Sequence, residues 1–253
     1  MTRVSAQDHV DAAQMAQEAG DLLLEIRTRI GIEYEAVAAK DLGDRQSHEL
    51  LMGRISDLHP GDAVLSEEGV DSAARLDADR IWIIDPLDGT REFGEPPRDD
   101  WAVHVALVVA GQLVAGAVGL PGRGIVLGTG EPPVLRPAEP GRAPRIAVSR
   151  TRPPEFVERV AATLGATLVP MGSAGAKAMA VVLGDSDMYI HGGGQYEWDS
   201  AAPVAVATAS GLHCSRLDGS PLAYNQADPW LPDLLICRPE LADQALLELA
   251  RYI

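Results

Sequence analysis

One stretch of this chain indicates both its fold and its chemistry: IWIIDPLDGT, residues 81–90. The apolar residues 81–84 predict a buried strand, and the turn that follows crowds Asp85, Asp88 and Thr90 together. Two carboxylates three residues apart repel each other unless cations bind between them. Acid-rich oxygen clusters suit Mg²⁺, which keeps several waters and shares its coordination shell with a phosphate. Taken alone, the stretch is also consistent with an ordinary Asp-Pro turn.

The composition narrows the class of protein. Of the 253 residues, 46% are apolar and 23% are charged, which is typical of a globular domain. The net charge of −16 argues against nucleic acid or an anionic membrane as a partner. The two cysteines are too few for a disulfide framework, and no apolar run approaches the ~18 residues of a membrane span. We therefore predict a cytoplasmic protein that acts on a small molecule.

Strand-like and helical runs alternate along the chain. Ser5 is a predicted N-cap for a first helix that extends to about Ile30, and Gly111-Gln112 is a predicted hairpin turn. Five prolines between Glu131 and Pro144 indicate a junction at 136–144, between an N-terminal α+β subdomain (1–135) and a C-terminal α/β subdomain (145–253). The remaining predicted helices are 47–58, 154–164, 174–183, 200–209 and 240–252, and the predicted strands are 63–65, 81–84, 102–110, 113–118, 125–127, 146–148, 167–169, 188–190 and 234–236.

Three acidic clusters stand beside these elements. Glu67 and Glu68 follow the strand at 63–65, the turn at 85–90 follows the second strand, and EWDSAA (197–202) opens a helix rich in Ala and Val. Each cluster is weak evidence alone. A Glu-Glu pair is usually solvated surface, and Asp199 could be only a helix cap.

Together, the clusters resemble the three metal-site signatures of the inositol monophosphatase and fructose-1,6-bisphosphatase superfamily. Those signatures read G-E-E, W-x-x-D-P-x-D-G-T and W-D-x-A-A, in that order, and here they are SEE (66–68), WIIDPLDGT (82–90) and WDSAA (198–202). The resemblance extends over nearly the whole chain. It implies an α/β fold, a layered αβαβα sandwich of the sugar-phosphatase type, and a Mg²⁺-dependent phosphatase.

The resemblance also implies roles for individual residues. Two Mg²⁺ ions, or three, would be bound, and their ligands would be Glu67, Asp85, the Leu87 carbonyl, Asp88 and Asp199. The catalytic residues would be Glu67, Thr90 and Asp88, with Glu67 and Thr90 orienting the attacking water. The residues that contact the substrate would be Asp88, Gly89, Thr90, Gly172, Ser173, Glu197 and Asp199.

The substrate is indicated by residues outside the metal signatures. Arg91-Glu92-Phe93 resembles the sequence that follows the D-G-T motif in the CysQ branch, the 3′-phosphoadenosine 5′-phosphate phosphatases. MGSAGAK (171–177) resembles the family's substrate-side G-S-x-x-x-K segment, and its alternative is a helix start with a solvated Lys177. The run 191–194, His-Gly-Gly-Gly, either leaves room for an adenine or is a flexible loop.

The predicted reaction is hydrolysis of 3′-phosphoadenosine 5′-phosphate to AMP and phosphate, in sulfur assimilation, with 3′-phosphoadenylyl sulfate as a further substrate and Li⁺ as an inhibitor. The alternatives are an inositol-1-monophosphatase, a fructose-1,6-bisphosphatase with broad specificity, and an inactive homologue that senses metal or nucleotide. A homodimer is an expectation from the family.

The sequence departs from the family pattern at two places. The CysQ branch usually has Y-P-R where this chain has Tyr189-Ile190-His191. Leu50 stands where the family motif K-x-x-x-D-x-V-T-x-x-D ends in an acid, so Asp44 or Glu49 would have to compensate at a third ion. The other histidines have no metal-ligand spacing and are predicted to lie on the surface or in the core: His9, His48, His59, His104 and His213.

Overall fold

A computed structural model describes residues 4–139 and 141–252. Pro140, inside the predicted junction, and the predicted domain ends at 1–3 and 253 lie outside the described residues. The helices are α1 (Ala6–Arg27), α2 (Ala36–Leu58), α3 (Thr90–Phe93), α4 (Glu155–Leu164), α5 (Ala174–Leu183), α6 (Glu197–Ala209) and α7 (Pro239–Leu249). The strands are β1 (Ala63–Ser66), β2 (Arg80–Asp88), β3 (Ala102–Val109), β4 (Gln112–Leu120), β5 (Ile125–Gly128), β6 (Arg145–Ser149), β7 (Thr167–Met171), β8 (Met188–Tyr196), β9 (His213–Ser215) and β10 (Trp230–Cys237).

Within the described residues, the strands form two five-stranded sheets. The first has the order β1-β2-β3-β4-β5, with β1 parallel to β2 and the others antiparallel. The second has the order β7-β6-β8-β10-β9, with its first three strands parallel. Helices α1 and α2 cover the outer face of the first sheet, α5 and α6 lie between the sheets, and α4 and α7 cover the second sheet. The predicted αβαβα sandwich is confirmed.

Strand β2 shows how the sequence sets these layers. Every residue from Ile81 to Asp88 is buried, because both faces of the first sheet are covered by helices. Ile81 and Ile83 point into the central layer against α5 and α6, and Trp82 and Ile84 point toward α1 and α2. The period of two along a strand produces this division. The strand is therefore fixed on both faces, and the turn at its end is fixed with it.

The first helix begins where the sequence predicts. The Ser5 side chain accepts a hydrogen bond from the Asp8 N–H, and the Asp8 carboxylate accepts one from the Ser5 N–H, which completes a capping box. The predicted hairpin is present, but its turn residues are Ala110 and Gly111 rather than Gly111 and Gln112, because Gln112 already pairs with Val109 as the first residue of β4. The helix ends at Arg27 rather than near Ile30.

The prediction for the second helix was wrong at its start. Helix α2 begins at Ala36, well before the predicted Ser47. Gly43 lies in its interior, and a Cβ there would stand 3.1–3.3 Å from Leu23, Leu87 and Phe93. A glycine that weakens the helical pattern of the sequence is thus a contact point between α2 and the first sheet.

The interpretation of the glycine run at 191–194 as a flexible loop was also wrong. Residues 191–194 continue strand β8, where His191 pairs with Leu234 and Gly192 with Asp233 of β10. A Cβ on Gly194 would overlap the Trp230 ring, at 1.7 Å, and a Cβ on Gly192 would stand 2.7 Å from Phe156. These glycines admit aromatic side chains against the strand, and nothing in their contacts supports an adenine pocket.

Along the chain, the proline-rich segment follows the last strand of the first sheet, which ends at Gly128, and precedes the first strand of the second sheet, which begins at Arg145. Helix α6 packs on β3 and β4 of the first sheet and contacts β8 and β10 of the second. The two halves therefore share the central layer, and their division into subdomains stays a prediction. None of the helices that the structure describes is long and apolar enough to cross a membrane. The cytoplasmic location and the homodimer also stay predictions.

Candidate metal centre

Asp85 and Asp88 lie on the turn where β2 leaves the first sheet. Asp85 is buried, and its Oδ1 accepts a hydrogen bond from the Leu87 N–H at 3.1 Å. Ser47 of α2 donates from Oγ to the Pro86 carbonyl at 2.7 Å. The turn is thus closed by its own acid and held by the neighbouring helix, so the carboxylates have fixed positions.

Glu67 reaches the same place from β1. Because β1 runs parallel to β2, with Ser66 paired to Ile84, the residues that follow both strands meet at one edge of the sheet. The Glu67 and Asp85 carboxyl groups lie close enough that each shifts the pKa of the other. Two carboxylates this close repel each other, so a cation bound between them would neutralise both groups.

The acids of this cluster have raised pKa values. Burial, and then the charges of Glu67 and Asp88, raise the pKa of Asp85 well above its usual range. Solvent reaches Glu67, yet partial desolvation and the charge of Asp199 raise the pKa of Glu67 to about 7. Burial and the charge of Asp88 raise the pKa of Asp199 to about 6. The cluster therefore lacks positive charge, and its hard oxygen ligands fit a divalent cation.

Asp88 is the exception, because its carboxylate is surrounded by donors. Its Oδ2 accepts hydrogen bonds from Ser173 Oγ at 2.5 Å and from the Gly175 N–H at 2.7 Å, and His104 Nε2 lies 3.2 Å away. Burial alone would raise the pKa of Asp88, but His104, Lys177 and Ser173 outweigh it and hold the pKa at about 2. All three contacts fall on Oδ2, so Oδ1 can face a cation.

His104 lies in the core, which is one of the two predicted locations, but the sequence did not indicate that it contacts the acidic cluster. Its ring is buried between Asp88 and the Trp198 carbonyl, which lies 3.0 Å from Nδ1, and Nδ1 is 3.9 Å from Asp85 Oδ2. Asp85, Asp88 and His104 form a buried group with the spacing of a metal site. Since β3 pairs His104 with Asp85 across the sheet, a lone polar residue in the apolar run 102–109 was the available signal.

Asp199 joins the cluster from the first turn of α6. Its Oδ2 accepts a hydrogen bond from the Tyr196 N–H at 2.7 Å, so it completes the cap of the helix. Its charge also acts on Glu67 and Asp85. The alternative in which Asp199 only caps a helix does not account for this second environment. One carboxylate serves both the cap and the acidic cluster.

Thr90 lies beside the acids and next to Asp44, a further carboxyl group whose pKa is raised. Its Oγ1 is 3.1 Å from the Leu87 carbonyl and is hydrogen-bonded to Asp44 as well. Burial, and then the charge of Glu68, raise the pKa of Asp44 to about 7. Gly89, which precedes Thr90, has a φ of 85° and would bring a Cβ within 3.0 Å of Ser173. Only glycine fits this bend without strain.

The predicted substrate-side segment is engaged inside the protein. The Gly172 N–H donates to Asp100 Oδ2 at 2.6 Å, so it does not face a ligand in this structure. Lys177 is buried, not solvated, and its Nζ donates to the Ser173 carbonyl at 2.6 Å and the Gly172 carbonyl at 3.2 Å. Lys177 therefore anchors the bend at which Ser173 meets Asp88. Direct substrate contacts of Gly172 and Ser173 stay predictions.

Glu197 has a structural role that the sequence did not indicate. Its two carboxylate oxygens accept hydrogen bonds from the Asn225 N–H at 2.6 Å and the Gln226 N–H at 2.7 Å, and the residue is 1% exposed. Arg75 donates to the Asn225 side chain and to the Gln226 carbonyl. The acid thus holds the loop before β10, and its contact with a substrate hydroxyl stays a prediction.

The raised pKa values predict a pH-dependent response to metal. Ionised Glu67 is disfavoured in the fold, so the metal-free protein loses stability as the pH rises from the usual value of 4.5 to about 7. Mg²⁺ should offset this loss. We expect a saturating Mg²⁺ concentration to raise Tm by about 5 °C at pH 8 and clearly less at pH 6, as measured by calorimetry. An equal rise at both pH values would contradict this assignment, and EDTA should reverse the rise.

Comparison with known proteins relates this geometry to a family. The profile described as the inositol monophosphatase family matches residues 6–251. A protein of Mycobacterium tuberculosis named 3′-phosphoadenosine 5′-phosphate phosphatase is 54% identical over 233 residues, 89% of this chain and 86% of the relative. The structure resembles inositol monophosphatase II of Staphylococcus aureus, with a TM-score of 0.80, 18% identity and coverage of 96% of this chain and 93% of the other. It also resembles CysQ of Bacteroides thetaiotaomicron, with a TM-score of 0.76, 25% identity and coverage of 92% and 97%.

Proposed function

The chain belongs to the inositol monophosphatase family, and from this we propose that it hydrolyses the 3′-phosphate of 3′-phosphoadenosine 5′-phosphate to give AMP and phosphate. The observation that carries the proposal is the 54% identity, over most of both chains, to a relative named for this activity. Arg91-Glu92-Phe93, directly after the turn at 85–90, supports the same substrate. Hydrolysis of 3′-phosphoadenylyl sulfate, a place in sulfur assimilation and inhibition by Li⁺ belong to the proposal and remain predictions.

We propose Mg²⁺ as the cation of the acidic cluster. Glu67, Asp85, Asp88, Asp199 and the Leu87 carbonyl would hold it, because they offer hard oxygens and the charge that the phosphate site needs. When bound, Mg²⁺ would lower the pKa of a water and offset the charge of the phosphate. The close approach of Glu67 to Asp85 and the raised pKa values of both acids support this placement.

The chain's own groups are suited to direct the attack of water. The Thr90 hydroxyl can accept a hydrogen bond from a water while it donates to Asp44 or to the Leu87 carbonyl. With a pKa of about 7, Asp44 can take up a proton near neutral pH through Thr90. The water gives up a proton toward Asp44 through Thr90, and its oxygen forms the new bond to phosphorus. The bond to the 3′-oxygen breaks, and that oxygen takes up a proton from solvent, so that AMP and phosphate result.

Helix α6 and helix α5 hold the remaining groups in place. Asp199 is fixed by the Tyr196 N–H, and Asp88 is fixed by Ser173, Gly175 and His104. Because both acids are held by backbone and buried donors, their free oxygens need little reorganisation in the reaction. This rigidity, with five family ligands present, also argues against the inactive homologue.

A substrate panel tests the proposal. We expect kcat/KM for 3′-phosphoadenosine 5′-phosphate to exceed the values for inositol 1-phosphate and fructose 1,6-bisphosphate by about tenfold or more, measured as phosphate release with Mg²⁺. EDTA should abolish all three activities. A preference for inositol 1-phosphate would overturn the nucleotide assignment, and no turnover of any substrate would support the inactive homologue.

A further inference from the structure

A polar cleft of about 280 Å³ adjoins the acidic cluster at the turn formed by residues 85–90. Its lining includes Gly89 and Thr90, which adjoin the acids, and Met171, Gly172 and Ser173. The segment 149–152, at the end of β6, also lines the cleft. The cleft therefore connects the turn that carries the acids with the segment 149–152.

The loop 149–152 is anchored on both sides. The Arg150 N–H donates to the Met171 carbonyl at 3.0 Å, and the Arg152 N–H donates to Ser149 Oγ at 3.3 Å. Pro153 and Pro154 follow Arg152 and restrict the backbone there. These contacts fix the position from which the Arg152 side chain extends.

Besides Arg91 and Arg152, three charged residues line the cleft, and two of them, Glu92 and Arg150, form an ion pair with each other. Arg150 Nε lies 2.5 Å from a Glu92 oxygen, and its second nitrogen is 2.7 Å from Glu95. A third, Lys177, is buried and bound to backbone carbonyls. Arg150 thus neutralises Glu92, so Glu92 does not balance the positive charges of Arg91 and Arg152.

Arg91 and Arg152 line the same cleft, are exposed, and have no carboxylate partner among the described residues. This is uncommon in the chain. In the described ranges 4–139 and 141–252, the other arginines bind a carboxylate or a carbonyl except Arg45 and Arg136. In a protein of net charge −16, two free guanidinium groups at one cleft favour an anion there.

We infer that this cleft binds a second phosphate group of the substrate, through Arg152 and Arg91, while the phosphate to be cleaved lies at the acidic cluster. The inference rests on the proposed function, because it concerns a substrate with two phosphates. A guanidinium presents two parallel N–H donors that match phosphate oxygens. The arginines therefore select a bisphosphate over the corresponding 3′-monophosphate.

The test compares Arg152→Gln with the matched control Arg136→Gln, which removes the same charge from an exposed arginine outside the cleft. Arg152 is preferred to Arg91 because Arg91 directly follows Thr90. The substrates are 3′-phosphoadenosine 5′-phosphate and adenosine 3′-phosphate, which lacks the second phosphate. We expect Arg152→Gln to lower the kcat/KM ratio of the first substrate to the second about tenfold, and Arg136→Gln to leave that ratio as in the wild type.

A binding measurement separates this inference from the proposed function. Calorimetry should show AMP, which carries only the 5′-phosphate, binding about tenfold more weakly to Arg152→Gln than to Arg136→Gln. If the wild type hydrolyses the bisphosphate but Arg152→Gln loses kcat/KM equally for both substrates, the second-phosphate site is overturned and the proposed function is not. Wild-type protein that hydrolyses neither nucleotide would overturn the proposed function. Equal AMP affinity of the two variants would then overturn the site as well.

Discussion

Replacing Asp85 with asparagine is expected to lower kcat/KM by about a thousandfold or more. Asp85 is 1% exposed, its pKa is raised by the charges of Glu67, Asp88 and Asp199, and its Oδ2 lies 3.9 Å from His104 Nδ1, so it lies at the centre of the acidic cluster. The amide keeps the shape of the side chain but removes the charge and one of the two oxygens that could bind a cation. Steady-state phosphate release in the presence of Mg²⁺ measures the loss.

A thermal melt shows whether this loss reflects the site or the fold. Without metal, Asp85→Asn should be at least as stable as the wild type, because the substitution removes like-charge repulsion from Glu67 and Asp88. The rise in Tm with Mg²⁺ should disappear. Asp57→Asn, an exposed change on α2, serves as the control and should keep both activity and the Mg²⁺ response. Substantial turnover by Asp85→Asn would refute the metal assignment.

Replacing Gly175 with alanine is expected to lower the free energy of unfolding by about 2 kcal/mol and to lower kcat/KM at least tenfold. A Cβ on Gly175 would stand 2.1 Å from His104 Nε2 and 3.1 Å from the Ala102 Cβ. Since His104 and the Gly175 N–H both contact Asp88, a displaced ring also displaces a predicted metal ligand. Chemical denaturation and phosphate release measure the two effects.

Gly53→Ala is the matched control for Gly175→Ala, because it makes the same change inside a helix. No heavy atom lies within 4 Å of a Cβ at Gly53, so this change should stabilise α2, by up to about 1 kcal/mol. If Gly175→Ala were as stable and active as Gly53→Ala, the close packing between α5 and His104 would not support Asp88 in the way described.

The layers and the acidic signatures could be predicted because each depends on residues that are adjacent in the sequence. The apolar run at 81–84 and the turn that follows it are one continuous segment, and Glu67 also follows its strand directly. The sequence could not indicate partners that only the sheet register and helix packing bring together. His104 meets Asp88 through the pairing of β2 with β3, and Glu197 meets Asn225 through a loop far along the chain.

The errors at glycines have one physical cause. Glycine lowers the predicted probability of a regular element, but at Gly43 and Gly194 it allows a bulky neighbour to pack closely against one. The same reasoning applies at Gly175, where the missing Cβ leaves space for His104. A single sequence contains the glycine but not the neighbour, so helix α2 and strand β8 were both predicted too short.

The central helix layer has a consequence for synthesis on the ribosome. The first sheet is complete at Gly128, but the helices that cover its inner face begin at Ala174 and Glu197. While the intervening residues are being translated, that apolar face has no cover from its own chain, and Glu67, Asp85 and Asp88 lack Asp199. A nascent chain of this length should depend on chaperone protection and should gain its metal affinity only when α6 has docked.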